Sequence, residues 1–299
     1  MNRMAEKLLL SLCALAVWGA AQAEPPGKII HTERSLYREV LVYESSGERC
    51  MCFTRECRIG RQSCMDIKDS NRLAIGYTRM MLGALYVQPD PKRVLIVGLG
   101  GGSLPKALLQ LLPNARIDVV EIDPAVTRVA REYFALPSSE RLDIAELDGR
   151  VLVKRAQRRG AQYDLILLDA FDHEYIPEHL LTREFLAETK SLLAADGVLA
   201  ANTFSMSRLY DHESATYQAV FGTFYNLKSG NRVIIAQSPS IPVLDAVKRN
   251  AARWEAPFTR LGAASADILK LFSTQRDWNA NARLLTDQYS PANLLNRAP

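Results

Sequence analysis

Asp169 and Asp172 sit three residues apart at the end of an apolar run, in the segment L-I-L-L-D-A-F-D. In open α/β sheets the substrate crevice lies outside the carboxyl ends of the strands, and a carboxylate pair there can take up a proton and hold a cation. Asp169 is therefore the candidate base or orienting group for a nucleophile, and Asp172 the candidate anchor for a positive charge. Both also admit blander readings: Asp169 as a strand cap, Asp172 as a solvated loop residue.

A second constellation lies upstream, where V-L-I-V-G-L-G-G-G-S-L is followed by a helix-like stretch and then by I-D-V-V-E-I-D-P. Glycines at Gly98, Gly100, Gly101 and Gly102 remove the side chains that would keep a ligand off the backbone. A ligand can then lie against the strand end and the next helix N-terminus. Glu121, at the tip of the second strand, is placed to accept both hydroxyls of a ribose. Together these features read as a nucleoside site; the competing reading is a Rossmann-like domain whose glycines serve packing alone.

Other chemistry finds less support. His173, Glu174, Glu178 and His179 straddle Pro177, so no helical H-x3-H face exists and no metal site is expected. No G-x-S-x-G elbow is present. Arg150, Lys154, Arg155, Arg158 and Arg159 crowd one predicted helix without interleaved aromatics, which reads as a solvated face and not as a nucleic-acid surface. The formal net charge of +4 singles out no partner.

The elements that must carry these residues follow from the apolar pattern. Residues 1–23 combine early cations, the apolar run Leu8–Val17 and the small-x-small Ala21-Gln22-Ala23, the pattern of a signal peptide cleaved after Ala23 and too short to span a bilayer. The expected location is periplasmic or secreted. Cys13 follows Leu12, not the small residue that lipid attachment would want. The four remaining cysteines, Cys50, Cys52, Cys57 and Cys64, cluster as two disulfides of open connectivity, with zinc as the weaker alternative.

Residues 24–70 read as an N-terminal β-strand domain with two or three antiparallel strands over 28–53, then a cysteine-bearing connection. A helix is expected over 71–86. Within the core domain, 71–240, strands near 94–98, 116–122, 142–147, 163–169 and 197–203 alternate with helices, and a hairpin over 224–238 turns at Ser229-Gly230-Asn231. Strict alternation implies a parallel sheet covered on both faces. Five such strands closed by a hairpin make a class I methyltransferase-like, doubly wound α/β fold. Residues 241–299 read as a helical, polar tail.

With the elements in place, the chain resembles the spermidine synthase (polyamine aminopropyltransferase) superfamily, in its spermidine synthase-like branch. Ser35-Leu36-Tyr37-Arg38 is similar to that family's S-x-Y-Q, Gln62 to the glutamine after its hairpin, and Tyr77 to the tyrosine of its Y-H-E helix. Val94–Ser103 is similar to its glycine turn, Glu121-Ile122-Asp123 to its ribose-binding E-I-D, Asp148-Gly149 to its adenine-side aspartate, and Asp169–Asp172 to its D-S-S-D loop. The resemblance implies transfer of an aminopropyl group from a decarboxylated S-adenosylmethionine-type nucleoside to an amine such as putrescine. Asp169, Asp172 and Tyr77 would act on the amine, Tyr77 as a hydrogen-bond donor. Gln62, Gly98, Gly100, Gly101, Glu121, Asp148 and Gly149 would hold the nucleoside.

No tightly bound cofactor, nucleic acid or stable membrane span is implied, and a homodimer is allowed. Alternatives are an S-adenosylmethionine-dependent methyltransferase and a non-catalytic nucleoside- or polyamine-binding protein. Three departures bear on substrate: Gly101 replaces an aspartate, Arg38 a glutamine, and Tyr77-Thr78-Arg79 stands for Y-H-E. Losing an anion and gaining a cation would favour a donor that keeps its carboxylate.

Overall fold

The computed structural model describes residues 27–53, 57, 61–171 and 175–291. The run Val-Leu-Ile-Val that announced the first core strand forms β5 (Arg93–Val97), with its last four residues buried on both faces. Around it a seven-stranded sheet assembles with β6 (Arg116–Glu121), β7 (Leu142–Glu146), β8 (Tyr163–Leu168), β9 (Leu193–Phe204), β10 (Tyr225–Ser229) and β11 (Asn231–Gln237), in the order β10-β11-β9-β8-β5-β6-β7. The pairs β5·β6, β6·β7, β5·β8 and β8·β9 are parallel; β11 joins β9, and β10 joins β11, antiparallel. This is the expected doubly wound sheet with its terminal hairpin. The strand order reverses between β5 and β8, and the crevice of such sheets opens at that switch point.

The helices that cover the sheet begin on side chains the sequence supplies. Asp123 caps α4 (Pro124–Tyr133), accepting the Ala125 N–H at 2.9 Å, with proline at the first helical position. Asp148 caps α5 (Gly149–Arg158) through the Val151 N–H at 2.9 Å, and Thr182 caps α6 (Arg183–Lys190) through the Phe185 N–H at 3.1 Å. The helix α3 (Ser103–Leu111) instead follows Gly102, whose φ of 73° suits glycine. On the other face of the sheet, α7 (Tyr210–Phe221) packs on α6.

The N-terminal unit is a separate antiparallel sheet in the order β1-β2-β3-β4: β1 (Lys28–Arg34), β2 (Glu39–Ser45), β3 (Glu48–Cys52) and β4 (Ser63–Asp66). Its last strand falls in what the sequence presented as a connection. Four residues carry too short an alternation to announce a strand; β4 is held by pairing with β3 and by the Cys50–Cys64 disulfide, which links directly opposed residues. Cys52–Cys57 is the second disulfide. Val40, Val42 and Met51 bury against Val126, Val129 and Phe134 of the core domain, so α4 fixes the small sheet beside the glycine turn.

The helix expected over 71–86 is in fact two, α1 (Gly76–Met81) and α2 (Ala84–Val87). They separate at Gly83, where a Cβ would lie 2.9 Å from the Met80 carbonyl oxygen and 3.1 Å from Phe272. The polar tail also differs from expectation: α8 (Leu244–Arg260) buries Val247, Ala251, Trp254 and Phe258 and packs on α2. A further helix, α9 (Ser265–Lys270), completes that layer. Charged residues on the outer face hid the apolar stripe from a composition reading. No helix among the described residues is long and apolar enough to cross a membrane.

A first expectation concerns the disulfides. Protein isolated under oxidising conditions should show no alkylatable thiol among Cys50, Cys52, Cys57 and Cys64 before reduction. Replacing Cys50 and Cys64 by alanine should lower unfolding stability in urea by roughly 2–4 kcal/mol, the chain-entropy scale for a loop of that length. Four thiols that label without reductant would refute the pairing.

Candidate active site

A cleft opens at the carboxyl ends of β5, β6 and β8, and one wall comes from the small sheet. The glycine turn forms its floor. Gly98 adopts a φ of 99°, and a Cβ there would fall 2.2 Å from the Asp169 carbonyl oxygen. Glycine is required because the ends of β5 and β8 come together at this point. Gly100 and Gly101 approach β4: Cβ atoms on them would lie 2.5 Å from Ser63 Oγ and 3.0 Å from Ser63 Cβ respectively. The Gly101 N–H donates to Ser63 Oγ at 2.8 Å. Ser63, which the sequence did not single out, thus ties the small sheet to the turn.

Glu121 reaches into the cleft from the tip of β6. Its Oε2 accepts the Leu99 N–H and its Oε1 the Asp123 N–H, both at 3.0 Å. Each oxygen keeps a further lone pair, so the carboxylate is held in place and still able to accept two hydroxyls. Burial pushes its pKa up, opposed by the two backbone hydrogen bonds.

Asp169 follows β8, with its N–H on the Val97 carbonyl at 2.8 Å. Its carboxylate is clasped from two sides. The Tyr77 hydroxyl donates to Oδ2 at 3.1 Å and the Asn202 amide donates to Oδ1 at 2.9 Å. Burial pushes the Asp169 carboxyl up to about 7 against both hydrogen bonds, and the charge of Glu121 adds to the rise. Burial, then the charge of Asp169, keeps the Tyr77 hydroxyl protonated well above its usual range. Tyr77 therefore spends its hydroxyl proton on Asp169, and its oxygen keeps a lone pair.

The remaining candidates divide. Gln62, Gly98, Gly100, Asp148 and Gly149 all line the cleft with Glu121, Asp169 and Tyr77. Gly101 does not: its Cβ direction points at Phe134 Cδ1, 2.9 Å away, and at Ser63. It contributes backbone to the turn rather than a surface to the ligand. Asp172 lies outside the described residues, as do His173 and Glu174. Among the described residues the one metal-like cluster, Glu48 with Cys50 and Cys64, contains a disulfide, which removes its thiolate ligands.

Arg38 lines the cleft with its guanidinium 4.3 Å from the centroid of the Phe53 ring and its Nε 3.9 Å from Asp123 Oδ2. Two residues escaped the sequence reading in different ways, the buried Asn202 that backs Asp169 and the cleft-lining His179. Asn202 ends the apolar run V-L-A-A-N, a polar residue level with Asp169 on the neighbouring strand, and that position was its only signal. His179 was weighed only as a metal ligand; it stands beside Asp148 instead.

A cleft at the switch point of a 3-2-1-4-5-7-6-type sheet, with an acidic strand tip and a buried carboxylate across from it, defines a class I methyltransferase-like fold. The comparisons narrow the class. The chain matches the spermine/spermidine synthase domain over residues 75–225, and it is 48% identical over 273 residues to a polyamine aminopropyltransferase of Vibrio vulnificus, covering 89% of this chain and 91% of that one. It belongs to the spermine/spermidine synthase family, as its motifs implied.

Among solved structures, a probable spermidine synthase from Corynebacterium glutamicum shares the fold with a TM-score of 0.64 at 18% identity, over 85% of this chain and 98% of that one. Human methyltransferase-like protein 13 in complex with SAH aligns with a TM-score of 0.55 at 25% identity, over 70% of this chain and 97% of that one. The family relatives are transferases, in line with the enzyme reading of the sequence.

Proposed function

We propose that this chain is an exported aminopropyltransferase that moves the aminopropyl group of a decarboxylated S-adenosylmethionine-type nucleoside onto an amine such as putrescine. The observation that carries the reading is the pairing, across one cleft, of a ribose-ready Glu121 with a buried Asp169 whose carboxyl titrates near 7. In the reaction the amine nitrogen attacks the carbon next to the sulfonium. The carbon–sulfur bond breaks with its electron pair going to sulfur, which leaves a neutral thioether nucleoside.

The nitrogen loses a proton, and Asp169 is the group placed to take it. A carboxylate of raised pKa is a better acceptor than an ordinary one. A cationic donor and an ammonium acceptor would in turn favour its ionised form when both are bound. Tyr77 and Asn202 hold the two oxygens, so the carboxylate meets the amine in a single orientation. The signal-peptide pattern, together with two disulfides, supports export.

The test is direct: purified protein with decarboxylated S-adenosylmethionine and putrescine should release methylthioadenosine and spermidine in equal amounts by mass spectrometry. Absence of product, together with absence of nucleoside binding by calorimetry, would end the proposal.

One observation favours a second reading, in which the donor keeps its carboxylate: Arg38 sits on the cleft wall. Its charge is partly answered by Asp123, so the expected effect is modest. Arg38→Gln should shift the ratio of affinities toward the decarboxylated donor by about 1 kcal/mol, less than the roughly 1.5–3 kcal/mol of a full hydrogen bond to a charged group because Asp123 answers part of the charge. An unchanged ratio in competition calorimetry would remove Arg38 from donor selection. Gly101→Asp, the substitution suggested by the family pattern, is a poor probe here because its side chain would collide with Phe134 and Ser63.

A further inference from the structure

The hairpin that closes the sheet reaches the buried carboxylate through one intermediary. Asn231 opens β11 directly after Gly230, whose φ of 73° suits glycine. It stands opposite Phe204 of β9, while Val233 stands opposite Asn202. Alternate residues of a strand share a face, so Asn231 and Asn202 are diagonal neighbours on one side of the sheet. Asn231 Nδ2 donates to Asn202 Oδ1 at 3.2 Å, and Asn202 Nδ2 donates to Asp169 Oδ1 at 2.9 Å.

The hairpin is braced where it carries Asn231. The next residue, Arg232, is fully buried and donates to Asn226 Oδ1 at 2.9 Å and to Ser214 Oγ at 2.7 Å. A register slip of one residue would break those contacts and turn Asn231 away from Asn202. Ser205 Oγ donates to the Gly230 carbonyl and ties the turn to the residue that follows β9.

We propose that Asn231 is a positioning residue for the transfer reaction, which acts through Asn202 to keep a hydrogen-bond donor aimed at Asp169. The inference rests on the reading of Asp169 as the proton acceptor given above. An amide can turn either end toward a neighbour: its NH2 donates and its oxygen accepts. An ionised carboxylate only accepts, so the NH2 end of Asn202 alone serves it. With Asn231 donating from behind, an Asn202 turned the other way would set NH2 against NH2 and oxygen against carboxylate. Asn202 is buried, so its orientation is chosen by these two partners. Burial pushes the Asp169 carboxyl up to about 7, and the Asn202 hydrogen bond is the foremost contact that opposes the rise. Tyr77 from α1 and Glu121 from β6 are the titratable groups among the described residues that act on Asp169, and the Tyr77 hydroxyl stays protonated.

NMR of isotopically labelled aspartate carboxyls, with the Asp169 signal assigned by its loss in Asp169→Asn, reads this group in the full chain without substrate and apart from Glu121. Asn231→Asp, which replaces the donor by an acceptor of nearly the same shape, should raise the Asp169 midpoint by about 1 pH unit, the scale of one hydrogen bond to a charged group. Asn231→Ala should raise it by less. The charge of a new carboxylate would act with or without Asn202, whereas the relay requires it. In an Asn202→Ala background, Asn231→Asp should therefore move the midpoint by no more than about a third as much. From a wild-type midpoint of about 7, such a shift lowers the ionised fraction at pH 7 roughly 5-fold, and kcat/KM for methylthioadenosine release should fall with it and recover at higher pH. A general loss of structure would lower the rate at every pH without moving the step. An unmoved midpoint in Asn231→Asp, or an equal shift when Asn202 is absent, overturns the proposal. A midpoint that moves as expected in a chain that forms no spermidine overturns instead the transfer reading on which it rests.

Discussion

Asp169→Asn should lower kcat/KM for aminopropyl transfer by ~10³-fold, within the range that a positioned general base contributes, and change the affinity for methylthioadenosine little. Asparagine keeps the size of the side chain and can still meet Asn202 and Tyr77, so the loss would report proton uptake rather than a collapsed cleft. Wild-type kcat/KM should rise with pH through about 7, where the Asp169 carboxyl loses its proton, and the residual rate of the variant should lack that step. A variant within tenfold of wild type, measured by methylthioadenosine release, would show that the amine is deprotonated elsewhere.

The same residue should leave a mark on stability. Its carboxyl, pushed up to about 7 in the folded protein, lies above the ordinary aspartate value of 3.8, so between those values the native state binds more protons than the unfolded one. Stability then falls as pH rises from about 4 to about 7. Glu213, buried and also raised to about 7 by desolvation against the opposing charge of Arg232, contributes in the same direction. Asp169→Asn should therefore gain melting temperature over wild type at pH 8, and the gain should shrink toward pH 4. Equal differences at both pH values would contradict a buried, titrating Asp169.

Glu121→Gln should weaken methylthioadenosine binding by roughly 1.5–3 kcal/mol, the scale of a hydrogen bond to a charged group. Glutamine would place an amide N–H opposite either the Leu99 or the Asp123 N–H, so the clasp that orients the side chain is lost together with the charge. A second ligand separates the two effects. The 2′,3′-dideoxy analogue should bind wild type more weakly than the parent nucleoside, and that difference should largely vanish in Glu121→Gln, the signature of a direct contact. A ribose preference that survives the substitution would place the hydroxyls elsewhere.

Much of this site is visible in the linear chain because its parts are local. The apolar runs of β5, β6 and β8 specify buried parallel strands. The glycines after β5 specify a turn that a side chain would obstruct, and Glu121 and Asp169 follow from standing at strand ends. What escaped depends on partners distant in sequence. The strand β4 exists through β3 and a disulfide; the break between α1 and α2 is imposed by Phe272 and Ile268 crowding Gly83; Gly101 faces Phe134, some thirty residues on, instead of a ligand. The buried pair of Arg232 on β11 and Glu213 on α7, 3.9 Å apart, likewise exists only because the fold brings the hairpin and that helix together.

The sequence by itself determined the order of elements, the crevice end of the sheet and the residue types brought to it, because strand periodicity, glycine conformation and helix caps act over a few neighbouring residues. Only the tertiary structure decided the chemistry of those residues. Asp169 is pushed up to about 7 because burial removes its water, a rise that outweighs the opposing hydrogen bonds from Tyr77, 92 positions earlier, and Asn202, 33 positions later. The Tyr77 hydroxyl is committed to Asp169 as a donor for the same reason. Solvation and long-range contacts set proton affinities, and neither is encoded in the spacing of residues along the chain.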